Sequence, residues 1–374
     1  MKTYKLGELI TQRREKNNET GLPIRGVSRE GLIPPKQIDA DTSIYNVFYL
    51  RDFIFNPARM ELNSIAFNDK YEKAICSSLY EVFYVHREDI VLPEYLKLIV
   101  KQDWFTRYCE FLGQGSAREY CRFANISEIN IELPDIETQK KAVYCDKVIN
   151  ERIALKRRIN DNLVDTLNAI YQEKYKSGNY SMLPLKELCS KIGSGATPKG
   201  GRESYHDTGI SLIRSTNVFD YGFSYPELAH IDNDQADSLS NVIVHENDVL
   251  FNITGVSVTR CCMVPPDVLP ARVNQHVMIL RPYAGKYMSY YILFTLCSSE
   301  NKAKLLGIGQ SGSTREAINK QEMEAFQIPV PENGEIEAFG KIAESFYEQI
   351  HKNNREMFGL FALRETLLSL LSSR

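Results

Sequence analysis

Two clusters of basic and hydroxyl side chains have the chemistry to hold phosphate groups. One is spread along the Gly-rich segment 194–202 and consists of Ser194, Thr197, Lys199 and Arg202. The other consists of Arg25, Arg29 and Lys36. Cationic side chains, hydroxyls and loop N–H groups are the donors that phosphate oxygens accept. Both clusters are therefore candidate phosphate contacts, and the alternative for each is a solvated turn.

Catalytic signatures are incomplete. The segment Asn56–Arg59 begins like the Asn-Pro-Pro-aromatic loop that holds a flipped adenine, but Ala and Arg stand where the second Pro and the aromatic ring belong. Pro134–Lys140 contains carboxylates and a lysine at the wrong spacing for a two-metal nuclease, and helix capping explains them better. Gly307–Gly312 matches G-x-G-x-x-G literally, but it follows a helical segment instead of a strand. The sequence predicts no catalytic, cofactor or metal site.

Composition sets limits on the class of protein. The 374 residues include 45 Lys and Arg against 48 Asp and Glu, for a net charge of −3. When the chain is divided into 1–136, 137–182, 183–333 and 334–374, only 137–182 is net basic, with nine basic and six acidic residues. Any nucleic-acid footprint is therefore local, or partner subunits supply part of it. No stretch approaches the ~20 apolar residues of a membrane span, and the eight irregularly spaced cysteines do not indicate a disulfide framework. We expect a cytoplasmic protein.

The chain contains an internal repeat. Tyr4–Leu9 resembles Leu183–Leu188, and Leu112–Glu119 resembles Ile308–Glu316. Each second motif is followed by a strand ending in proline and then by about forty residues of helical pattern. Several matches in the same order indicate a true repeat.

Each copy begins with a mixed region. Segments rich in β-branched and aromatic residues predict strands at 46–55, 79–85, 185–192, 249–253 and 274–280. Helical patterns cover 94–111 and 287–306. The order is not a regular alternation of strand and helix, so the fold class is α+β.

Each copy ends with a long helix, predicted at about 137–176 and 335–371. Apolar residues recur three and four positions apart from Ile336 to Leu371, with Asn353 and Arg364 as polar exceptions. This spacing is typical of a coiled-coil seam. Arg152 and Lys156 interrupt the first helix similarly. Each helix would be about 55–60 Å long. We expect the two helices to pack antiparallel as a rod with two heads, and the alternatives are parallel packing or a coiled-coil homodimer.

One family resemblance covers nearly the whole chain. Its most specific text lies in the second half, at Gly193–Pro198, Gly209–Val218, Asn247–Gly255, Arg260 and Val273–Val277. Phe55–Met60 resembles the first-half counterpart of Phe251–Gly255. In this order, ahead of a long helix, the series resembles the target recognition domain of type I restriction-modification specificity subunits.

The resemblance implies an α+β protein with two repeated target recognition domains, separated by two long antiparallel helices in a pseudo-twofold arrangement. The expected boundaries are 1–136 for the first recognition domain, 137–177 for the central helix, 178–333 for the second recognition domain and 334–374 for the C-terminal helix.

The resemblance also implies a function without catalysis by this chain. Each recognition domain would read one half-site of a bipartite target in double-stranded DNA. Two methylation subunits would dock on the helical spacer and use S-adenosylmethionine, and restriction subunits that use ATP and Mg²⁺ could join them. No cofactor is expected in this chain, and no membrane is expected as a partner.

Two other classes of function stay open at this point. The chain could be a coiled-coil scaffold whose repeated heads bind protein or glycan, and not DNA. It could also be a self-sufficient enzyme with an unrecognised site. Filter binding to duplex DNA, with and without a methylation subunit, separates the first from the DNA-recognition hypothesis.

Overall fold

The computed structural model describes residues 1–35, 37–38, 41–113, 120–175, 178, 180–226, 228–310 and 317–372. The chain forms two compact units. Unit 1 comprises Met1–Ile153 and Gly359–Arg374, and unit 2 comprises Ala154–Phe358. This division follows spatial compactness, so each long helix contributes to both units. The four-segment division of the sequence stays a prediction.

The first half of the chain is mixed, as the residue pattern predicted. Its strands are β1 (Lys2–Lys5), β2 (Ile10–Arg13), β3 (Gly26–Ser28), β4 (Gly31–Ile33), β5 (Asn46–Tyr49), β6 (Phe53–Phe55), β7 (Ile65–Phe67), β8 (Lys73–Cys76), β9 (Glu81–Val85) and β10 (Asn130–Leu133). Its helices are α1 (Pro93–Val100), α2 (Asp103–Gly113), α3 (Phe123–Ser127) and α4 (Ile136–Tyr175).

The second half has the same kinds of elements and several more strands. The strands are β11 (Ser181–Pro184), β12 (Cys189–Ser194), β13 (Ile210–Ile213), β14 (Val218–Phe219), β15 (Gly222–Phe223), β16 (Ala229–Ile231), β17 (Ile243–Val244), β18 (Val249–Asn252), β19 (Cys261–Met263), β20 (Ala271–Val273), β21 (Val277–Pro282) and β22 (Gln327–Val330). The helices are α5 (Leu185–Leu188), α6 (Asn233–Ser238), α7 (Lys286–Cys297), α8 (Ser299–Gln310), α9 (Lys320–Ala325) and α10 (Asn333–Ser372).

The repeat is visible in the sheet topology of the two units. Unit 1 has an antiparallel sheet of order β2-β9-β6-β7, and unit 2 has an antiparallel sheet of order β12-β21-β18-β19. In both, the strand at the start of the repeat pairs antiparallel with the strand that precedes the long helix, as β1 with β10 and β11 with β22. The same topology therefore occurs twice, which confirms the repeat. The echoed segments 114–119 and 311–316 lie outside the described residues.

Unit 2 contains a second four-stranded sheet, of order β16-β13-β20-β17. Its central strands β13 and β20 run parallel, and the other pairs are antiparallel. At the corresponding stage of the chain, unit 1 has the separate pairs β3-β4 and β5-β8. The second copy of the repeat is longer than the first, and the additional sheet accounts for much of the extra length.

Aromatic side chains form much of each core. In unit 1, the rings of Phe53 and Phe83 stack at 4.9 Å between centroids. In unit 2, Tyr171 of α4 and Phe339 of α10 pack against Phe294 of α7, at 6.3 and 5.3 Å. These buried rings fix the long helices to the mixed region of unit 2, because large aromatic surfaces dominate core energetics.

The two long helices run antiparallel within each unit. In unit 2, Lys156 of α4 contacts Asn353 of α10 at 3.0 Å, and the Tyr175 hydroxyl donates to the carbonyl of Glu335 at 2.9 Å. Residue numbers therefore rise along α4 as they fall along α10. In unit 1, Arg364 of α10 forms an ion pair with Asp146 of α4 at 2.7 Å. Both helices are 40 residues long, as the heptad spacing indicated.

Several local predictions were wrong. The helix expected at 94–111 is divided at Lys101 and Gln102, and the helix expected at 287–306 is divided at Ser298, whose hydroxyl donates to the carbonyl of Thr295 at 2.7 Å. Such a local hydrogen bond offers the backbone an alternative to continued helix. The strand expected at 46–55 turns at Arg51, which has a positive φ of 69°. The segment expected as a strand at 185–192 opens with the helical turn α5.

Candidate nucleic-acid interface

The structure brings two of the predicted basic residues of unit 1 to one cavity. Arg25 precedes β3, and Arg29 lies in the turn between β3 and β4. The Arg25 guanidinium is held in place, because Nε donates to the Tyr71 hydroxyl at 2.7 Å and the group lies 4.7 Å from the Tyr71 ring centre. Arg29 is exposed. Lys36 lies outside the described residues.

The predicted residues of unit 2 follow one another along the loop after β12. Ser194 is the last residue of β12 and is half-buried, while Thr197 and Lys199 are exposed. The carbonyl of Lys199 accepts a hydrogen bond from Gln235 Nε2 at 3.1 Å, which ties the loop to α6. The backbone of Arg202 lies in the helical turn Gly201–Ser204, and its side chain is outside the description. The loop therefore presents a hydroxyl and an ammonium to solvent.

Gly195 allows this loop to leave the sheet. Its N–H donates to the carbonyl of Asn274 at 3.1 Å, and a Cβ at this position would lie 1.7 Å from the carbonyl oxygen of Val273. Only glycine permits so close an approach of two backbones. The Gly-Ser-Gly sequence is thus required by packing at its second glycine, which positions Thr197 and Lys199.

Two loops that occupy the same place in the two repeated sheets were not among the predicted sites. The β6–β7 loop of unit 1 contains exposed Arg59 and Leu62, and the β18–β19 loop of unit 2 contains fully exposed Val256. Next to β19, the Arg260 guanidinium lies 4.6 Å from the ring centre of Phe219. Arginine reads guanine edges, and apolar groups contact the thymine methyl. The signal in the sequence is an arginine and an aliphatic residue between the same two strands of the sheet in both copies.

Each of these loops follows a strand that begins at a buried aspartate. Asp52 precedes β6 and forms two hydrogen bonds with Arg13, at 2.7 and 3.0 Å. Asp248 precedes β18 and forms two with Arg281, both at 2.7 Å. Paired, charge-assisted hydrogen bonds of this kind fix geometry as well as adding energy. The strands that carry the two loops are therefore rigidly anchored.

The polar segment Asn274–His276 forms a turn before β21, and not part of the strand expected there. Asn274 Oδ1 accepts from the His276 backbone N–H at 3.0 Å, and His276 Nδ1 lies 2.6 Å from the Thr254 hydroxyl. An Asn side chain that bonds its own backbone two residues on stabilises a turn. These contacts give the segment a structural role within unit 2.

Neither metal binding nor membrane insertion finds support in the described part of the chain. No group of three His, Cys, Asp or Glu side chains is placed to hold a metal ion within these residues. None of the described helices is long and apolar enough to cross a membrane. The eight cysteines are free, and Cys145 is the exposed one.

Comparison with known proteins gives consistent relatives. The family model described as the type I restriction modification DNA specificity domain matches residues 53–164 and 178–357. The HindI type I restriction enzyme specificity subunit of Haemophilus influenzae is 27% identical over 109 residues, which are 29% of this chain and 23% of that protein. A second relative, from Methanocaldococcus jannaschii, is named as the specificity subunit of the type I restriction enzyme MjaX. It is 20% identical over 206 residues, which are 52% of this chain and 47% of that protein.

These matches span about a quarter and about half of the length of the two relatives. The fold is also similar to the crystal structure of a type I restriction-modification system S subunit from M. genitalium, with a TM-score of 0.58 and 13% identity over 99% of this chain and 95% of that chain. The matches of the family model fall in both copies of the repeat and cover well over half of the sequence. This chain belongs to the type I restriction modification DNA specificity domain family.

Proposed function

We propose that this chain is the DNA sequence-recognition subunit of a type I restriction-modification complex, and that it reads a bipartite target with one half-site per recognition domain. The observation that carries the proposal is the repeated topology, with sheet orders β2-β9-β6-β7 and β12-β21-β18-β19 inside one family-matched chain. Two recognition domains in one chain fit a DNA target that has two half-sites. The equivalent loops, with Arg59 in unit 1 and Arg260 in unit 2, supply arginine donors suited to DNA contacts in each module.

Exposed apolar side chains on the long helices support the proposal that other subunits dock there. Their described surfaces expose apolar side chains, including Tyr144 (68%), Leu155 (54%), Phe358 (54%) and Leu363 (55%). Aromatic residues are enriched at protein interfaces, and exposed apolar groups beside them favour association. We infer that two methylation subunits dock on these helices, one per copy of the repeat, and that restriction subunits can join the complex.

The same proposal covers chemistry and location. The chain itself would be non-catalytic and free of cofactor, S-adenosylmethionine would belong to the methylation subunits, and ATP with Mg²⁺ to the restriction subunits. The complex would act on chromosomal DNA in the cytoplasm. Phosphate contacts from Arg29, Thr197 and Lys199 fit this function, since backbone contacts position a protein on DNA.

An exchange of recognition domains tests the proposal. Residues 1–136 are replaced by the first domain of another family member, the chimera is expressed with its methylation subunit, and methylated sites are mapped across the host genome. One half of the target should change and the other should stay. A second chimera that exchanges only 137–177 serves as the control and should keep both half-sites. A change in both half-sites, or methylation independent of this chain, would contradict the proposal.

A further inference from the structure

Unit 1 contains an open cavity of about 990 Å³, and the sequence did not predict a cavity there. Its walls come mainly from four segments: the β3–β4 hairpin with the residues that follow it, the β6–β7 loop, the β8–β9 turn, and the junction of α1 with α2. Only the tertiary fold brings these segments together.

Basic groups outnumber acidic ones on the cavity wall. The charged lining residues are Arg25, Arg29, Arg59, Lys101, Glu61 and Asp103. Among the described residues, the guanidinium groups of Arg29 and Arg59 form no hydrogen bond or ion pair. Arg25 is held by Tyr71 and therefore shapes the wall. The cationic groups come from different segments, and with four basic against two acidic side chains the wall of the cavity is net positive.

Lys101 is the most constrained of these groups. It is half-buried, and its Nζ donates to the carbonyls of Arg29 at 2.7 Å and Ile65 at 2.6 Å. Burial, followed by the nearby charges of Arg29 and Lys97, lowers the pKa of Lys101 to about 8. An ammonium has three N–H donors, and carbonyl oxygens account for two. Within the described residues, no carboxylate pairs with this ammonium.

We propose that this cavity is a phosphate-binding groove for the DNA backbone, in which Arg29, Arg59 and Lys101 contact phosphate oxygens. This inference rests on the proposed function and names the residues of unit 1 that hold DNA. The sequence predicted phosphate contacts from Arg25, Arg29 and Lys36, and of these only Arg29 is assigned a phosphate contact here. Arg59 and Lys101 are assigned by the fold alone.

The shape and rim of the cavity favour DNA over a free phosphate ion. The cavity is much larger than a single phosphate, and its lining includes the exposed aliphatic residues Leu62 (56%) and Leu79 (77%). A free phosphate ion has no apolar surface that could contact these leucines, whereas a nucleic-acid strand has sugar and base surfaces beside each phosphate.

The test measures DNA affinity against salt concentration for the full chain with its methylation subunit. The variants are Arg59→Met and Lys101→Met, and Lys70→Met is the matched control because Lys70 is exposed and does not line the cavity. Each cavity variant should weaken binding by about fivefold to tenfold on specific and nonspecific duplexes alike, and should lower the salt slope by about 0.9. Lys70→Met should match the wild type.

Arg59→Met keeps the test decisive if Lys101→Met does not fold, because the Arg59 side chain is exposed and has no hydrogen bond or ion pair with the described residues. Wild-type affinity and slope in both cavity variants would overturn the groove while the proposed function stands. Failure of the wild-type complex to bind DNA would refute both. A parallel titration with inorganic phosphate identifies the source: binding of free phosphate that the variants abolish, with DNA affinity unchanged, would also overturn the assignment to DNA.

Discussion

Lys156 on α4 donates a hydrogen bond to Asn353 on α10, with 3.0 Å between Nζ and Oδ1. Asn353 is 1% exposed, and its amide donates in turn to Asn160 Oδ1 at 2.7 Å. Lys156 also forms an ion pair with Glu356 at 2.8 Å. Two polar interruptions of apolar helix seams thus satisfy each other. Such a match fixes helix register, because a shift would leave both groups buried without partners.

Removing one partner of this match should destabilise the chain. In Asn353→Leu, Lys156 and Asn160 each lose a buried hydrogen-bond partner, so we expect a loss of about 1–3 kcal/mol in the free energy of unfolding. Urea unfolding of the full chain measures it. The double variant Lys156→Met with Asn353→Leu should recover part of the loss, since two apolar groups can replace a polar pair at little cost. A loss in the double variant equal to the sum of both single losses would show that the pair is not coupled.

The buried Asp248 should be more important to stability than an exposed acid. Its carboxylate is fully buried and forms both hydrogen bonds with Arg281, so Asp248→Asn leaves a half-buried guanidinium uncompensated. We expect a loss of about 3 kcal/mol, measured by urea unfolding. Asp89→Asn removes a similar but exposed pair with Arg87 and should leave the urea midpoint unchanged. Equal midpoints for the two variants would contradict the structural importance of Asp248.

Gly195 and Gly193 offer a matched pair of substitutions. A Cβ at Gly195 would collide with the Val273 carbonyl at 1.7 Å, whereas one at Gly193 would meet only the Lys191 side chain at 3.7 Å. Gly195→Ala must therefore displace the loop with Lys199. It should lower stability by about 1–3 kcal/mol and weaken DNA binding of the complex. Gly193→Ala should retain binding. Normal DNA affinity in Gly195→Ala would show that the position of this loop is unimportant.

His351 on α10 predicts loss of stability in mild acid. Burial lowers the pKa of His351, with a smaller contribution from the charge of Arg355, while Asp267 acts in the opposite direction. The unfolded chain then takes up a proton more readily than the folded chain. Stability should fall as the pH drops below the ordinary histidine pKa of about 6.5 and should level off below the folded pKa.

Unfolding curves between pH 8 and 5 measure this effect. His351→Gln should be less dependent on pH in that range, because the buried titrating group is gone. Exposed His206 provides the control, and His206→Gln should follow the wild-type pH profile. A profile for His351→Gln that is as steep as that of the wild type would assign the acid sensitivity to other groups.

Several features could be predicted from the sequence because their signals are local or periodic. The long helices follow from apolar spacing that persists over about forty residues, and the repeat follows from ordered matches such as Tyr4–Leu9 with Leu183–Leu188. The family followed from short segments such as Gly193–Pro198. Each of these signals can be recognised in the sequence without knowledge of the tertiary contacts.

Other features were decided by tertiary structure. Ser298 divides a helical pattern because its hydroxyl finds a carbonyl, and Asn274 forms a turn inside a strand pattern because its side chain caps the backbone. Propensity is similar for both outcomes at such positions, so a single hydrogen bond decides between them.

The candidate site depended on the fold still more strongly. Arg29, Arg59 and Lys101 are far apart in sequence and lie in a hairpin turn, a loop and a helix end, yet they line one cavity. Likewise, the match of Lys156 with Asn353 joins residues 197 positions apart. The sequence determined which side chains were available and which elements would carry them. Only the packing of those elements decided which charges meet, because electrostatic and hydrogen-bond partners are set by distance in space.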